Sequence, residues 1–278
     1  MDLETYRQDS RQTWDDMAPG WEAHREWLLE TTGDINQWIV GQADPKPGDT
    51  VLDIAAGTGD LGFLAAERIA PDGRLITTDF APEMIEAARR NGEARGIDNV
   101  EYRVLDAERM DLDDDSVDAV VSRWSYMLMA DPAAALRETR RVLRDGRTAA
   151  FVVWQTPDRN MWAAVPGMTL VGRGHMPPPD PEAPGIFALG DRDRLEAMVT
   201  GAGFDAPRIE ELTFEWRYDG DRLWQTLTEL AGPLARVLKQ LPPDELAATR
   251  EAIEEGMEQF RDGDVLAVPG ACWGVVVR

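Results

Sequence analysis

The order of predicted elements indicates an α/β fold built on a doubly wound sheet. Three observations predict it: short apolar runs alternate with helical segments from residue 50 to 154, a glycine-rich turn follows the first run, and the chain closes with a strand, a helical insertion and a final strand. Strands that alternate with helices form right-handed βαβ units whose sheet is covered on both faces. We therefore expect a Rossmann-like sheet.

Seven strands and their connecting helices follow from the hydrophobic pattern. The predicted strands are 50–55, 74–78, 100–105, 117–122, 147–154, 208–218 and 271–277. The predicted helices are 60–69, 82–95, 132–143 and 191–200, and residues 221–261 are expected to form two more. Residues 1–45 are predicted to be a helical lid and 46–278 the main domain, with a proline-rich lid loop at 156–190 and a helical cap insertion at 219–262.

Composition narrows the range of partners. The net charge of −23 repels phosphate backbones and anionic membranes, so we expect no nucleic-acid partner and no membrane insertion. Acidity at this level also fits solubility or a high-salt habitat. Cys272 is the single cysteine, and the first residues lack the pattern of a signal peptide, so a cytoplasmic protein is expected. A homodimer is compatible with the sequence.

The glycine-rich turn has the spacing of a nucleotide-binding loop. Gly57, Gly59 and Gly62 follow the first strand and open a helix, where free backbone N–H groups can meet a ligand. Asp79 ends the next strand, at the position of a carboxylate that accepts both hydroxyls of a ribose. This pattern alone fits a nicotinamide-dependent oxidoreductase, a methyltransferase or a non-catalytic nucleotide-binding protein.

Three features favour S-adenosylmethionine over a dinucleotide. Asp53 lies inside the first strand, where it can face a ligand's amino group through the loop or a water. Asp106 follows the third strand and suits the adenine amine. The chain also ends without a second nucleotide-binding half. The sequence therefore favours a methyl donor as cofactor.

Four segments carry a family resemblance: VLDIAAGTGD, LITTDFAPEM, YRVLDAERMDLDDDSVDAVVSRWSYM and ALRETRRVLRDGR. They resemble the class I S-adenosylmethionine-dependent methyltransferases, above all the ubiquinone and menaquinone branch and its small-molecule relatives. The resemblance covers residues 45–154, with a weaker echo at 187–218. It implies an antiparallel last strand and direct in-line transfer of a methyl group to a small-molecule acceptor. Ala55 departs from the usual first glycine of the loop, and Asp145-Gly146-Arg147 from the usual turn before the fifth strand.

The resemblance also implies the cofactor-binding residues. The methionine end of the cofactor is framed by the first strand and its loop, the ribose and adenine by the next two strands, and the sulfonium by the end of the fourth strand. The N-terminal lid contributes a tryptophan. The expected residues are Asp53, Ala55, Gly57, Gly59, Asp79, Phe80, Met84, Asp106, Ala107, Ser122, Arg123 and Trp21.

The acceptor is less defined by the sequence. His175 is the predicted general base, and Tyr126 is predicted to orient the acceptor. Aromatic residues of the lids and cap suit a flat or lipophilic acceptor, methylated at oxygen, nitrogen or carbon. Carbon methylation of a quinone precursor stays open, and no metal is expected. These aromatic residues are Tyr6, Trp14, Trp21, Trp162, Phe187 and Trp224.

Overall fold

A computed structural model describes residues 2–180 and 182–278 and shows one twisted mixed sheet. Met1 and Pro181, which belong to the predicted segments 1–45 and 156–190, lie outside the described residues. The strands are β1 Thr50–Ile54, β2 Arg74–Asp79, β3 Val100–Val104, β4 Val117–Arg123, β5 Leu143–Trp154, β6 Arg208–Asp219, β7 Arg261–Asp262 and β8 Val265–Val277. Their order is β3-β2-β1-β4-β5-β8-β6, and the short β7 pairs with β8.

Strand directions follow the predicted topology. Strands β1 to β5 are parallel to one another, whereas β8 is antiparallel to both β5 and β6. The sheet order reverses at β1, between β2 and β4, and this is where open α/β sheets bind ligands. The Rossmann-like class I fold with an antiparallel last strand is confirmed.

Ten α-helices connect and cover the strands in the described residues. They are α1 Leu3–Ala23, α2 Arg25–Ala43, α3 Asp60–Ile69, α4 Pro82–Arg95, α5 Pro132–Val142, α6 Met161–Gly172, α7 Arg192–Gly201, α8 Arg222–Gln225, α9 Gly232–Leu238 and α10 Pro243–Met257. A π-helical segment, Thr226–Leu230, continues α8. Helices α2 and α3 pack on each other and on the sheet, while α5 packs on β5 and α7.

Local sequence explains where several helices begin. Asp2, Asp131 and Asp191 precede α1, α5 and α7, and each side chain accepts a hydrogen bond from a backbone N–H of the first turn. Such caps satisfy donors that the helix cannot satisfy itself. Proline occupies the first turn of α4 and α5, where its missing N–H removes no helical bond.

The loop prediction for residues 156–190 is wrong over α6. Most side chains of α6 are apolar, so the segment lacks the alternation of faces that marks a surface helix. Pro166, one of the prolines on which the loop prediction rests, lies inside the helix and is buried. Burial of Trp162, Ala163 and Leu170 stabilises the helix despite the hydrogen bond that Pro166 removes.

The last strand is longer than predicted, because β8 begins at Val265 rather than at residue 271. Pro269 lies inside it. Pairing of β8 with β5 covers only Cys272 to Val277, so at Pro269 the strand has β6 as its partner on one side and is an edge on the other. Proline is tolerated there because an edge N–H has no sheet partner to lose.

Candidate active site

A deep cavity lies at the carboxyl ends of β1, β2 and β4, under α1 and the segment 226–233. The glycine loop and Asp79 border one part of it. Tryptophan side chains border another part. Because both parts belong to one continuous cavity, a cofactor and an apolar second molecule can meet inside it.

The glycine loop has an unusual backbone that explains its residues. Ala55, Gly57 and Gly59 all have positive φ angles, of 52°, 55° and 87°. A Cβ on Gly59 would lie 2.5 Å from the Phe63 ring, and one on Gly62 would lie 2.5 Å from Asp53 Oδ2. Gly57 lines the cavity, whereas Gly59 and Gly62 serve the packing of the loop and α3. Ala55 therefore adopts at some cost the conformation that glycine adopts freely.

Asp79 is fixed at the cavity wall by the backbone. Its Oδ2 accepts a hydrogen bond of 3.0 Å from Gly57 N–H, and its Oδ1 accepts one of 3.0 Å from Ala81 N–H. Burial raises the pKa of Asp79 to about 6, although these backbone donors favour the charged form. Each carboxylate oxygen keeps a free lone pair for a ligand hydroxyl.

Asp53 has one oxygen bonded and one without a partner. Oδ2 accepts a 3.0 Å hydrogen bond from Gly62 N–H, while Oδ1 is buried and has no partner among the described residues. Burial raises the pKa of Asp53 well above its usual value. A buried acceptor without a donor is costly, so this oxygen suits a ligand's ammonium group or an ordered water.

The part of the cavity next to β2 and β3 contains four more of the predicted residues. Phe80, Met84, Asp106 and Ala107 all line it. Met84 is nearly fully buried, and Asp106 Oδ1 accepts a 2.9 Å hydrogen bond from Glu108 N–H. Three strand ends thus bring three carboxylates, those of Asp53, Asp79 and Asp106, to one groove.

The two predicted residues at the end of β4, Ser122 and Arg123, lie in different environments. Ser122 Oγ donates a 2.8 Å hydrogen bond to Ile54 O and ties β4 to β1 without lining the cavity. The Arg123 guanidinium lines the cavity, and its Nη1 donates to Thr32 Oγ1 at 3.1 Å and to Asn36 Oδ1 at 2.9 Å.

Helix α1 lies over the groove. Trp21 Nε1 donates to Leu230 O at 3.2 Å, and Tyr6 OH donates to Leu128 O at 2.8 Å. Both side chains line the cavity. A Cβ on Gly20 would lie 2.5 Å from Glu229 O, so α1 crosses the π-helical segment at very short range.

Four tryptophans form one wall of the cavity, and of these only Trp162 was predicted to lie near the acceptor. Trp124 and Trp154 stack with centroids 4.2 Å apart, Trp162 lies 5.1 Å from Trp154, and Trp216 lies 5.7 Å from Trp162. All four line the cavity, and we call them the tryptophan wall. Trp124, Trp154 and Trp216 lie in or directly after sheet strands, and the position of Trp124 and Trp154 at carboxyl ends was the signal that could have revealed them.

The two predicted catalytic residues do not line the cavity. His175 follows α6, and its Nε2 lies 3.4 Å from Glu245 Oε2 of α10. Tyr126 is fully buried, its OH is 2.8 Å from Thr139 Oγ1, and its ring packs on Phe151. The geometry gives Tyr126 a packing role. Phe187 and Trp224 also lie outside the cavity lining, unlike Tyr6, Trp14 and Trp162.

Neither a metal-binding cluster nor a membrane-spanning helix is found among the described residues. Within 2–180 and 182–278, no group of three or more His, Cys, Asp or Glu side chains is arranged to hold a metal ion. In the same part of the chain, no helix combines the length and apolar character needed to cross a bilayer.

Comparisons with known proteins identify the family of the chain. A family model described as a methyltransferase domain matches residues 45–160. An arsenite methyltransferase of Halobacterium salinarum is 35% identical over 194 residues, which cover 66% of this chain and 46% of that protein. A demethylmenaquinone methyltransferase of Thermus thermophilus is 33% identical over 186 residues, which cover 63% of this chain and 82% of that protein.

A solved structure shares the fold. The YcgJ protein of Bacillus subtilis superposes with a TM-score of 0.58 and 17% identity, covering 88% of this chain and 97% of that one. The chain belongs to the class I S-adenosylmethionine-dependent methyltransferases. Its cofactor is S-adenosylmethionine. The chain spans 46% of the length of its arsenite methyltransferase relative, so that protein's activity is not carried over.

Proposed function

We propose that this protein transfers the methyl group of S-adenosylmethionine to a planar, largely apolar acceptor held against the tryptophan wall. The observation that carries the proposal is the single cavity bordered by Gly57, Asp79 and Asp106 on one side and by Trp124 and Trp162 on the other. Flat faces of tryptophan favour a flat ligand, because ring stacking adds to the burial of apolar area.

The cofactor is assigned to the groove by donor and acceptor type. Asp79 would accept hydrogen bonds from the ribose hydroxyls, and Asp106 with the Ala107 backbone would bind the adenine edge between Phe80 and Met84. Asp53 Oδ1, which has no partner among the described residues, would accept from the cofactor's ammonium group directly or through water. Gly57 would let the methionine part approach the backbone closely.

The bound cofactor supplies an activated methyl group, and the protein supplies alignment. The acceptor atom forms a bond with the methyl carbon while the carbon–sulfur bond breaks and its electron pair stays on sulfur. The acceptor's proton leaves to solvent. Alignment of two molecules in a near-attack geometry is worth about 7–11 kcal/mol. The cavity walls therefore matter more than a base, and we propose no role for His175 or Tyr126 in this step.

We propose that the elements over the cavity exclude water during transfer. Residues 1–45 serve as an N-terminal lid and 219–262 as a cap on the methyltransferase domain 46–278, because Trp21 of α1 and Leu230 of the cap meet above the groove. Within 156–190, helix α6 contributes Trp162 to the wall and thus belongs to the acceptor site rather than to a movable loop.

One observation separates the protein from its arsenite-methylating relative. Trivalent arsenic binds thiolates, and the sequence has a single cysteine, Cys272. Cys272 is fully buried, and burial raises the pKa of its thiol to about 12. Carbon methylation of a quinone precursor remains the second candidate, because such a ring fits the tryptophan wall as well as other aromatic acceptors do.

Two measurements test the proposal. Calorimetry should show binding of S-adenosylhomocysteine in the micromolar range, about 7–9 kcal/mol, and no comparable binding of NAD. Labelled S-adenosylmethionine should then transfer its methyl group to members of a panel of phenols, naphthols and quinols, and Trp162→Ala should slow this transfer more than it weakens cofactor binding. Preference for NAD, or transfer only to small aliphatic acceptors, would contradict the proposal.

A further inference from the structure

We propose that Arg123 binds an anionic oxygen of the aromatic acceptor, such as a phenolate or carboxylate oxygen. This inference rests on the proposed methyl transfer and defines the acceptor's chemical class: an acidic aromatic molecule that binds as its conjugate base. The geometry points to it because Arg123 is the arginine that borders both the cofactor groove and the tryptophan wall.

Arg123 is a cation without a carboxylate partner in its own site. Both of its hydrogen bonds to described residues come from Nη1, and both acceptors are neutral side-chain oxygens, on Thr32 and Asn36 of α2. By contrast, Arg7, which also lines the cavity, forms an ion pair with Glu108. Burial lowers the pKa of Arg123, and the negative charges of Asp60 and Asp53 offset this effect only in part. An anion would relieve this cost of burying a charge.

Two contacts hold the Arg123 guanidinium in place, one with α2 and one with the Trp124 ring. Thr32 and Asn36 hold Nη1 against α2, and the guanidinium lies 5.2 Å from the Trp124 ring. The side chain is still partly exposed, and it lines the cavity. Its remaining N–H donors are therefore available to a molecule in the cavity, next to the stacked pair Trp124 and Trp154.

The positive charge of Arg123 beside the acceptor's oxygen can take the place of a general base. A neighbouring cation favours the charged form of an acidic hydroxyl, so a bound phenol would lose its proton to solvent more readily. The resulting phenolate is nucleophilic at oxygen and at the ring carbon beside it. Arg123 therefore selects acceptors that need no side chain to remove a proton, which agrees with the position of His175 beside Glu245.

The test compares two probes of nearly equal shape in protein saturated with S-adenosylhomocysteine. Negatively charged 2-naphthoate and neutral 2-naphthamide are titrated while tryptophan fluorescence and heat are recorded. We expect wild-type protein to bind the naphthoate about tenfold more tightly, as a hydrogen-bonded charge pair allows. Arg123→Gln should abolish this preference, and Arg123→Lys should retain part of it. The control Arg89→Gln removes an exposed charge and should change nothing.

Three outcomes would overturn the inference. The first is an unchanged preference in Arg123→Gln, and the second is no preference in the wild type. The third is a loss of cofactor binding alone. In that case Arg123→Gln weakens the binding of S-adenosylhomocysteine tenfold but does not weaken the binding of 5′-methylthioadenosine, which lacks the carboxylate. That result would assign Arg123 to the cofactor. Failure of wild-type protein to bind S-adenosylhomocysteine at all would instead overturn the proposed function.

Discussion

At the scale of single residues, the Asp79 carboxylate links cofactor binding to pH. Burial raises its pKa to about 6, and the ribose hydroxyls prefer its charged form. Protonation competes with the ligand below that pH. We therefore expect the affinity for S-adenosylhomocysteine to be constant above pH about 6 and to fall as the pH drops below it, by up to tenfold per pH unit.

Substitution of Asp79 distinguishes the titration of this carboxylate from acid-induced unfolding of the protein. Asp79→Asn should weaken S-adenosylhomocysteine at least tenfold, because hydrogen bonds to a charged group are worth about 1.5–3 kcal/mol. It should also flatten the pH dependence between 5 and 7, measured by calorimetry at about half-unit steps. Asp72→Asn, at an exposed position, is the matched control. An unchanged pH profile in Asp79→Asn would refute the ribose assignment.

Gly62 tests how the first strand and α3 are packed. A Cβ at Gly62 would lie 2.5 Å from Asp53 Oδ2, and both residues are buried. We expect Gly62→Ala to lower the free energy of unfolding by about 1–3 kcal/mol, since a packed core resists added volume. Gly33 lies in α2 with nothing within 4 Å of a Cβ, so Gly33→Ala should instead stabilise by about 0.5–1 kcal/mol. Urea denaturation measures both, and equal effects would be inconsistent with this packing.

At this scale, spacing along the chain indicates which carboxylates lie close together in space. Asp79 ends β2, Asp106 follows the adjacent parallel strand β3 and Asp53 lies within β1, so their approach to one groove could be predicted from strand order alone. The partners of Arg123 could not, because Thr32 and Asn36 lie about 90 residues earlier, on helix α2. Tyr126 shows the same limit: its position after β4 does not reveal which way its ring turns.

At the scale of elements, the crossing of α1 over the π-helical segment controls the cofactor groove. Gly20 allows the approach, because a Cβ there would lie 2.5 Å from Glu229 O. Gly20→Ala should therefore push α1 outward, raise amide hydrogen exchange across α1 and weaken S-adenosylhomocysteine several-fold. In Gly41→Ala, where a Cβ has nothing within 4 Å, neither quantity should change for the worse. Unchanged exchange in α1 of Gly20→Ala would contradict the account.

Two helical regions, α6 and the insertion, were not predicted correctly from the sequence. Helix α6 is apolar on most of its surface, and neither periodicity nor proline count distinguishes such a buried helix from an irregular segment. The insertion was predicted as two helices, whereas it contains α8, the π-helical segment, α9 and α10. Short segments of this kind depend on contacts with α1 and α6, which lie far away in the sequence.

At the scale of the whole molecule, the net charge of −23 sets the response to salt. The described ion pairs are mostly exposed, and such pairs contribute little. Repulsion among the excess carboxylates should outweigh them. We expect the unfolding midpoint to rise when sodium chloride increases from about 0.01 M to 1 M, because the screening length falls from about 30 Å to 3 Å.

A variant with fewer charges provides the control for this salt effect. Glu251 and Glu255 are exposed and four positions apart on α10. Their like charges repel at this spacing, so the double substitution by glutamine should raise the midpoint in low salt and make it less sensitive to salt. Thermal denaturation followed by circular dichroism measures both proteins. A midpoint that falls with added salt would show that ion pairs outweigh repulsion.

The position of β8 also has a consequence for how the protein is made on the ribosome. Strand β6 pairs along its length with β8, and β5 meets β8 on its other edge. Until residues 265–277 emerge, β6 has no neighbour and β5 keeps an open edge. The sheet therefore closes only after β8 is translated, so the strand that brings Trp154 of β5 and Trp216 of β6 together is synthesised after both of them.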